Sequence, residues 1–166
     1  RTGLICEPGA PIGDRACALG RPVHTVRFRW SADPAAIRQV AGILRRERVD
    51  VLGTHSSLDA WVGGIAARLC GVPVVRTRHL DLPLQRNPFS RAVYRLLADV
   101  IVVTGASGAA RLVAESGVSP ARVQVVPTGI DLTRFDPGSA DGRRIRGELG
   151  IPSGAPVVGT IGVLRA

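Results

Sequence analysis

The chain has no lysine and no methionine among its 166 residues, only 4% aromatics, and 13 acidic residues against 22 basic ones, all of them arginine. Lysine-free usage rich in alanine and glycine reads as a GC-rich coding bias rather than a functional device. The net charge of +9 still favours anionic partners: a nucleotide phosphate, an acidic lipid surface or nucleic acid. The scarcity of aromatics argues against the last of these. Single-strand recognition interleaves stacking rings with basic side chains, whereas these arginines are spread over helix faces. No nucleic-acid partner is expected.

Cysteine is equally sparse. Cys6, Cys17 and Cys70 are odd in number and contain no C-x-x-C pair, so buried free thiols in a reducing compartment are expected, with no disulfide and no metal. The three histidines never reach H-x-x-x-H spacing. No apolar run approaches the roughly 18 residues of a membrane span. Gly-x-Gly-x-x-Gly, the P-loop and the Gly-x-Ser-x-Gly elbow are all missing, which removes the main support for a dinucleotide oxidoreductase, a P-loop NTPase or an α/β-hydrolase.

What is present is alternation. Strand-like Gly3 to Cys6, Val23 to Phe28, Val49 to Thr54, Val72 to Val75, Val100 to Val103 and Arg122 to Pro127 are separated by helix-like stretches. Asp33-Pro34 and Asn87-Pro88 are helix starts, a capping side chain followed by a proline preset for the first turn. Ile37, Val40, Ala41 and Leu44 keep helical spacing while Arg38, Arg45, Arg46 and Arg48 take the solvent face. Asp59 to Cys70 is apolar nearly all round, with Gly63-Gly64 expected to allow close packing and Gly71 as the stop. Phe89, Val93, Leu96 and Leu97 form the stripe of a fourth helix, and Ser107 to Ser116 the next; a short helix is expected from about Ala140 to Leu149. The reading is an α/β fold, a Rossmann-like doubly wound parallel sheet.

In such sheets ligands bind beyond the carboxyl ends of the strands. Three strands here end in polar clusters. Thr54-His55-Ser56-Ser57 precedes a helix, so it is either an anion- or hydroxyl-binding position or a plain cap by Ser56 or Ser57. Arg76-Thr77-Arg78-His79 follows a central strand, where polar residues are not expected as core filler. Arginine offers bidentate phosphate recognition, and histidine a hydrogen-bond partner near neutral pH. The other reading has His79 bonded to a backbone carbonyl and the arginines exposed. Thr104 ends the third strand. His24, without polar company, reads as structural.

The ordered blocks Asp50 to Ser57, Gly71 to His79, Ala98 to Thr104 and Val126 to Phe135 resemble the family 4 glycosyltransferases, retaining enzymes with a two-domain GT-B fold. The resemblance implies that residues 1–151 are the N-terminal, acceptor-side domain without its first strand and glycine-rich loop. It makes 152–166 a linker and first strand, Val157 to Ile161, of a donor-binding domain. It implies a cleft in which His79 is catalytic and His55, Ser56, Arg76, Arg78 and Thr104 bind substrate. The expected reaction moves a hexosyl unit from a nucleotide sugar to an acceptor hydroxyl with retention, without a metal or any cofactor beyond the donor itself. The acceptor would be a saccharide or a lipid-linked one, in cytoplasmic cell-envelope or polysaccharide biosynthesis, with possible peripheral contact at an anionic membrane face. Val163 stands where many members carry Arg after the glycine, here Gly162, so Arg165 is not assigned a phosphate role. Without the donor domain, the 166 residues alone are expected to be inactive. A nucleotide-sugar epimerase of the same fold and a non-catalytic α/β binding module are the alternatives.

Overall fold

A computed structural model describes residues 1–84, 87–139 and 141–159. Six strands alternate with helices: β1 (Leu4–Cys6), α1 (Pro11–Ala18), β2 (Val23–Thr25), α2 (Pro34–Arg46), β3 (Leu52–Thr54), α3 (Ser57–Cys70), β4 (Val74–Arg78), α4 (Pro88–Leu96), β5 (Val100–Val103), α5 (Ala106–Ser116), β6 (Val123–Val125) and α6 (Arg143–Glu148). All ladders are parallel. They form a pair, β1-β2, and a four-stranded sheet in the order β3-β4-β5-β6. Parallel neighbours need crossovers, and the helices supply them.

Alternation along the strands sets the layers. Ile5 packs into the α2–α3 cluster, whereas the adjacent Cys6 meets Gly13 of α1, so α1 and α2 lie on opposite faces of the β1-β2 pair. In the larger sheet Val74, Arg76, Ile101 and Val103 are buried on one face. Between them Val75, Thr77 and Val102 are only partly covered, and Gly53 and Val100 are exposed. Two apolar clusters fill the covered side. One joins Val40, Ala41 and Leu44 of α2 with Val62, Ala66 and Ala67 of α3; the other joins Val93 and Tyr94 of α4 with Ile101, Val103 and Leu112. Leu44, Ile101 and Leu112 are fully buried, and truncating any of them to alanine costs about 2–5 kcal/mol.

The helix signals behave as their chemistry dictates. Asp33 caps α2 by accepting the Ala35 and Ala36 N–H groups, and Pro34 opens the first turn. Arg29 pairs with Asp33 at 2.8 Å; that bond, with the two backbone donors, outweighs burial and holds the carboxyl down at about 2. Gly71 and Gly117 end α3 and α5 with φ of 68° and 70°, a region costly to any side chain. Gly64 lets α3 approach Leu97, where an added Cβ would lie 2.8 Å from the Leu97 Cβ. Asp99 ties the sheet to α3, accepting from the Val74 N–H at 2.7 Å and from Arg68 at 3.0 Å. Desolvation pushes its carboxyl up, and these donors pull it below the ordinary range.

Several expectations are corrected. β3 starts at Leu52, because the Val49 N–H donates to Leu44 O to close α2 and Val51 turns to solvent. β4 extends through Arg78, since its ladder to β5 continues to the Arg78–Val103 pair. On α4, Phe89 and Leu96 are 72% and 65% exposed, and Tyr94 takes the buried place beside Val93. Of the three thiols expected to be buried, Cys6 is, Cys70 is half-buried and Cys17 is exposed; all three are free. His24, expected to have no polar company, has the Glu47 carboxylate 3.4 Å from its Nε2.

The chain divides into two compact units, Arg1–Thr128 and Gly129–Ala166. In the second, Asp131 accepts the Thr133 hydroxyl at 2.6 Å and the Thr133 and Arg134 N–H groups, which lower its carboxyl. Arg146 of α6 donates to the carbonyls of Pro152 and Ala155 and so fixes the proline-rich stretch. Residues 157–159 carry no strand. Thr160 and Ile161 of the expected strand, and Gly162, Val163 and Arg165, lie outside the described residues, as does Ala140.

Candidate functional site

At the carboxyl end of β3 the chain passes from buried Thr54 to exposed His55 and into α3. The turn is closed by a reciprocal cap: Ser56 Oγ accepts the Asp59 N–H, and the Asp59 carboxylate accepts the N–H groups of His55 at 3.0 Å and Ser56 at 2.8 Å. With its backbone so held, His55 reaches the end of β4. Its Nδ1 lies 3.0 Å from His79 Nε2, and the two rings stack with centroids 5.3 Å apart. The two histidines occupy adjacent strand ends because β3 and β4 pair directly in parallel.

β4 carries the arginines inward. Arg76 is 7% exposed, and its guanidinium lies over the Tyr94 ring, 4.4 Å from the centroid. Its Nη2 donates to the Tyr94 hydroxyl at 3.3 Å, while its Nε and Nη1 have no hydrogen-bond partner. Thr54, opposite Arg76 in the ladder, is also buried with its Oγ1 unpartnered. Arg78, two residues on and therefore on the same face, donates to the Tyr94 hydroxyl at 2.7 Å and to the Leu82 carbonyl. A phenol under α4 thus receives two guanidiniums.

Past β5 the third junction opens into a cavity of about 120 Å³ lined by Arg78, Leu80, Asp81, Val103, Thr104 and the first turn of α5. The α5 N-cap is Gly105, with no side chain capping the helix. Asp81 reaches across from the loop after β4, accepting the Ser107 hydroxyl at 3.2 Å and pairing with Arg111 at 3.2 Å.

His55, His79, Arg78 and Thr104 are thus gathered along the rim formed by β3, β4 and β5. Ser56 serves as the α3 cap, the plainer of its two readings. Arg76 contradicts the expectation that polar residues at the end of a central strand stay out of the core: it is inside β4 and faces α4, with the Tyr94 ring as its packing surface. Asp81 and Tyr94 were missed. Tyr94 carried a signal, being the chain's single tyrosine at helical spacing beside Val93; Asp81 carried none, since its partners lie in α5.

The sequence matches the family model described as Glycosyltransferase Family 4 over residues 4–134. The UDP-Gal:alpha-D-GlcNAc-diphosphoundecaprenol alpha-1,3-galactosyltransferase of Escherichia coli is 28% identical, the alignment covering 97% of this chain and 45% of that protein. The D-inositol 3-phosphate glycosyltransferase of Acidothermus cellulolyticus is 31% identical over 87% of this chain and 34% of its own length. The chain therefore spans less than half the length of either relative. A glycosyltransferase structure from Rickettsia africae superposes with a TM-score of 0.73 over 93% of this chain and 43% of that one; at 15% identity this is a likeness of fold.

Proposed function

The chain belongs to glycosyltransferase family 4, and from that premise we propose that it is the acceptor-side part of an enzyme moving a hexosyl unit from a nucleotide sugar to an acceptor hydroxyl with retention. The observation that carries this reading is the His55–His79 contact at the rim where parallel α/β sheets receive ligands. The names of the two relatives supply the chemistry: UDP-Gal as donor in one, and acceptors that are a lipid-linked sugar and an inositol phosphate. These names support a saccharide or lipid-linked acceptor, and the proposed setting is envelope or polysaccharide assembly. The transfer needs no metal and no cofactor besides the donor. Family membership favours transfer over the epimerase and binding-module readings.

The histidine pair has a definite chemical consequence. When His55 Nδ1–H donates to His79 Nε2, neutral His79 must carry its own proton on Nδ1 and offers a donor to a substrate oxygen. In the reverse arrangement that nitrogen is an acceptor. A ligand rich in oxygen acceptors selects the first arrangement, which makes His79 the residue touching substrate and His55 the one that sets its tautomer.

The outer face of α4 supports the membrane part of the reading. Exposed Phe89 and Leu96 run beside exposed Arg91 and Arg95, an apolar strip flanked by positive charge and suited to peripheral contact with an anionic bilayer at the cytoplasmic face. No described helix is long and apolar enough to cross a membrane.

The test is a transfer assay on the complete gene product with a panel of nucleotide sugars and with saccharide and lipid-linked acceptors, the product anomer being read by NMR. Transfer with retained configuration is expected. Release of an epimerised sugar nucleotide without transfer to any acceptor would overturn the reading.

A further inference from the structure

The segment that carries His79 is braced by a side chain. Among the described residues, His79, Leu80 and Asp81 make no backbone–backbone hydrogen bond. Arg78, the last residue of β4, bridges them instead: its Nη2 donates to the Leu82 carbonyl, closing the loop in which His79 is the first residue. The other arm of the same fork, Nη1, donates to the Tyr94 hydroxyl at 2.7 Å. A planar guanidinium tied at both arms has little freedom left, and the loop it closes shares its position.

The phenol is the fixed point of this arrangement. Its oxygen offers two acceptor sites, and both are taken, one by Arg78 and the other by Arg76 Nη2 at 3.3 Å. Arg76 also lies over the ring, and Tyr94 is 3% exposed in the cluster with Ile101, Val103 and Leu112. The helix that carries it is held in turn. Arg122, directly before β6, donates to the carbonyls of Tyr94 at 3.1 Å, Arg95 at 3.3 Å, Asp99 at 3.2 Å and Ala98. The place of the hydroxyl is therefore set by how α4 docks on the sheet, and a chain of direct contacts carries it to the rim.

We propose that Tyr94 is a positioning residue for His79 and acts through Arg78. This rests on the glycosyltransferase reading above, in which His79 touches substrate, and adds to it the residues that aim the ring. His55 meets the ring from β3 at 3.0 Å. Arg78 fixes the backbone from which the ring projects, because it precedes His79 and is bonded to Leu82 beyond it. Arg78 thereby takes a role other than the substrate contact that the resemblance implies: both arms of its fork are committed to acceptors inside the protein. Lysine could not replace it, since one ammonium on a flexible stem does not reproduce a rigid fork between two acceptors.

The experiment is a double-mutant cycle in the complete protein, Tyr94→Phe against His79→Ala, with kcat and KM measured for sugar transfer. Tyr94→Phe keeps the buried ring and removes only the shared acceptor. Alone it should lower kcat about tenfold, the scale of a small misplacement of a reacting group, and change KM less. In the His79→Ala background the same substitution should cost less than about twofold, because residues that act as one unit are not additive. An equal loss in both backgrounds would overturn the proposal, since the phenol would then act without His79. Arg78→Lys should reproduce the loss, and full activity in a folded Arg78→Lys would overturn it as well. A second readout needs no turnover: with ring-labelled histidine, the His79 resonances should shift in Tyr94→Phe and in Arg78→Lys while those of His24 stay in place. Unmoved His79 resonances in either folded variant would count against the proposal just as directly. Should Tyr94→Phe not fold, Arg78→Lys, at a half-buried position, carries both readouts. Failure of the glycosyltransferase reading shows differently: wild type and variants alike would transfer no sugar, while the His79 resonances still moved.

Discussion

The starts of α3 and α5 are one fold element finished in two ways. At α3 the Ser56 hydroxyl and the Asp59 carboxylate take up the donors of the turn, and the residue held there, His55, is aimed at its neighbour on β4. At α5 the cap is a glycine, and the nearest carboxylate, Asp81, belongs to another loop and is occupied by Ser107 and Arg111. A junction that satisfies itself can position a side chain but has little left for an anion. A junction left open holds no side chain of its own and keeps its helix dipole available. The rim thus holds one junction capped from within and one whose helix start has no side-chain cap.

The hardest blow to this contrast falls on the presented ring. In the complete protein His79→Ala should lower kcat/KM on the order of 100-fold, the range for loss of a positioned proton-transfer or hydrogen-bonding group. Because His79 is exposed, the unfolding free energy should change by less than about 0.5 kcal/mol. Parallel kinetics and urea unfolding check both, and near-normal rates with lowered stability would return His79 to a structural role.

Ser56→Ala tests the closed junction and should cost about 1 kcal/mol in chemical unfolding. It should also loosen the His55–His79 contact, seen as a shift of the His79 ring resonances. A third helix start, α2, is closed by Asp33, whose carboxyl sits near 2 against an ordinary value of 3.8. A depressed folded-state value stabilises the fold above the unfolded-state value. That contribution should therefore be complete above about pH 4 and drain away as pH falls towards 2, and acid titration of Asp33→Asn should lack this component. The mildest change closes the open junction. Gly105 has extended backbone angles that any residue adopts, so Gly105→Ser should add a few tenths of a kcal/mol by capping α5. An unchanged or lowered unfolding midpoint in a folded Gly105→Ser would show that the new hydroxyl does not cap the helix.

The legible parts were local ones. Asp33-Pro34, Asn87-Pro88, Gly71 and Gly117 act through neighbours within a few residues, so sequence spacing alone placed helices α2 to α5 nearly as found. The convergence of His55, His79 and Thr104 was equally readable, because parallel strands in sequence order bring their carboxyl ends to one rim. Arg76 was misplaced for a physical reason. A buried arginine is tolerated here only because a tyrosine 18 positions later offers a ring and a hydroxyl, a pairing fixed by how α4 docks. The exposure of Phe89 and Leu96 has the same origin: α4 rotates to bury Tyr94, which turns them outward. Asp81 could not be read at all, its partners being the start of α5 and a residue one turn further on.

The spacing of Arg76 and Arg78 also bears on how the chain avoids misfolding. A strand rich in valine pairs almost equally well with its neighbours when displaced by one residue, and such a slip exchanges its two faces. In β4 that exchange would press Val75 and Thr77 under α4 and carry both guanidiniums to the sparsely covered side, away from the Tyr94 ring and hydroxyl. The slipped pairing forfeits both guanidinium contacts of the phenol, while the correct one keeps them. The two charges thus serve as a registration mark, one that discriminates between alignments that the surrounding valines alone would leave nearly degenerate.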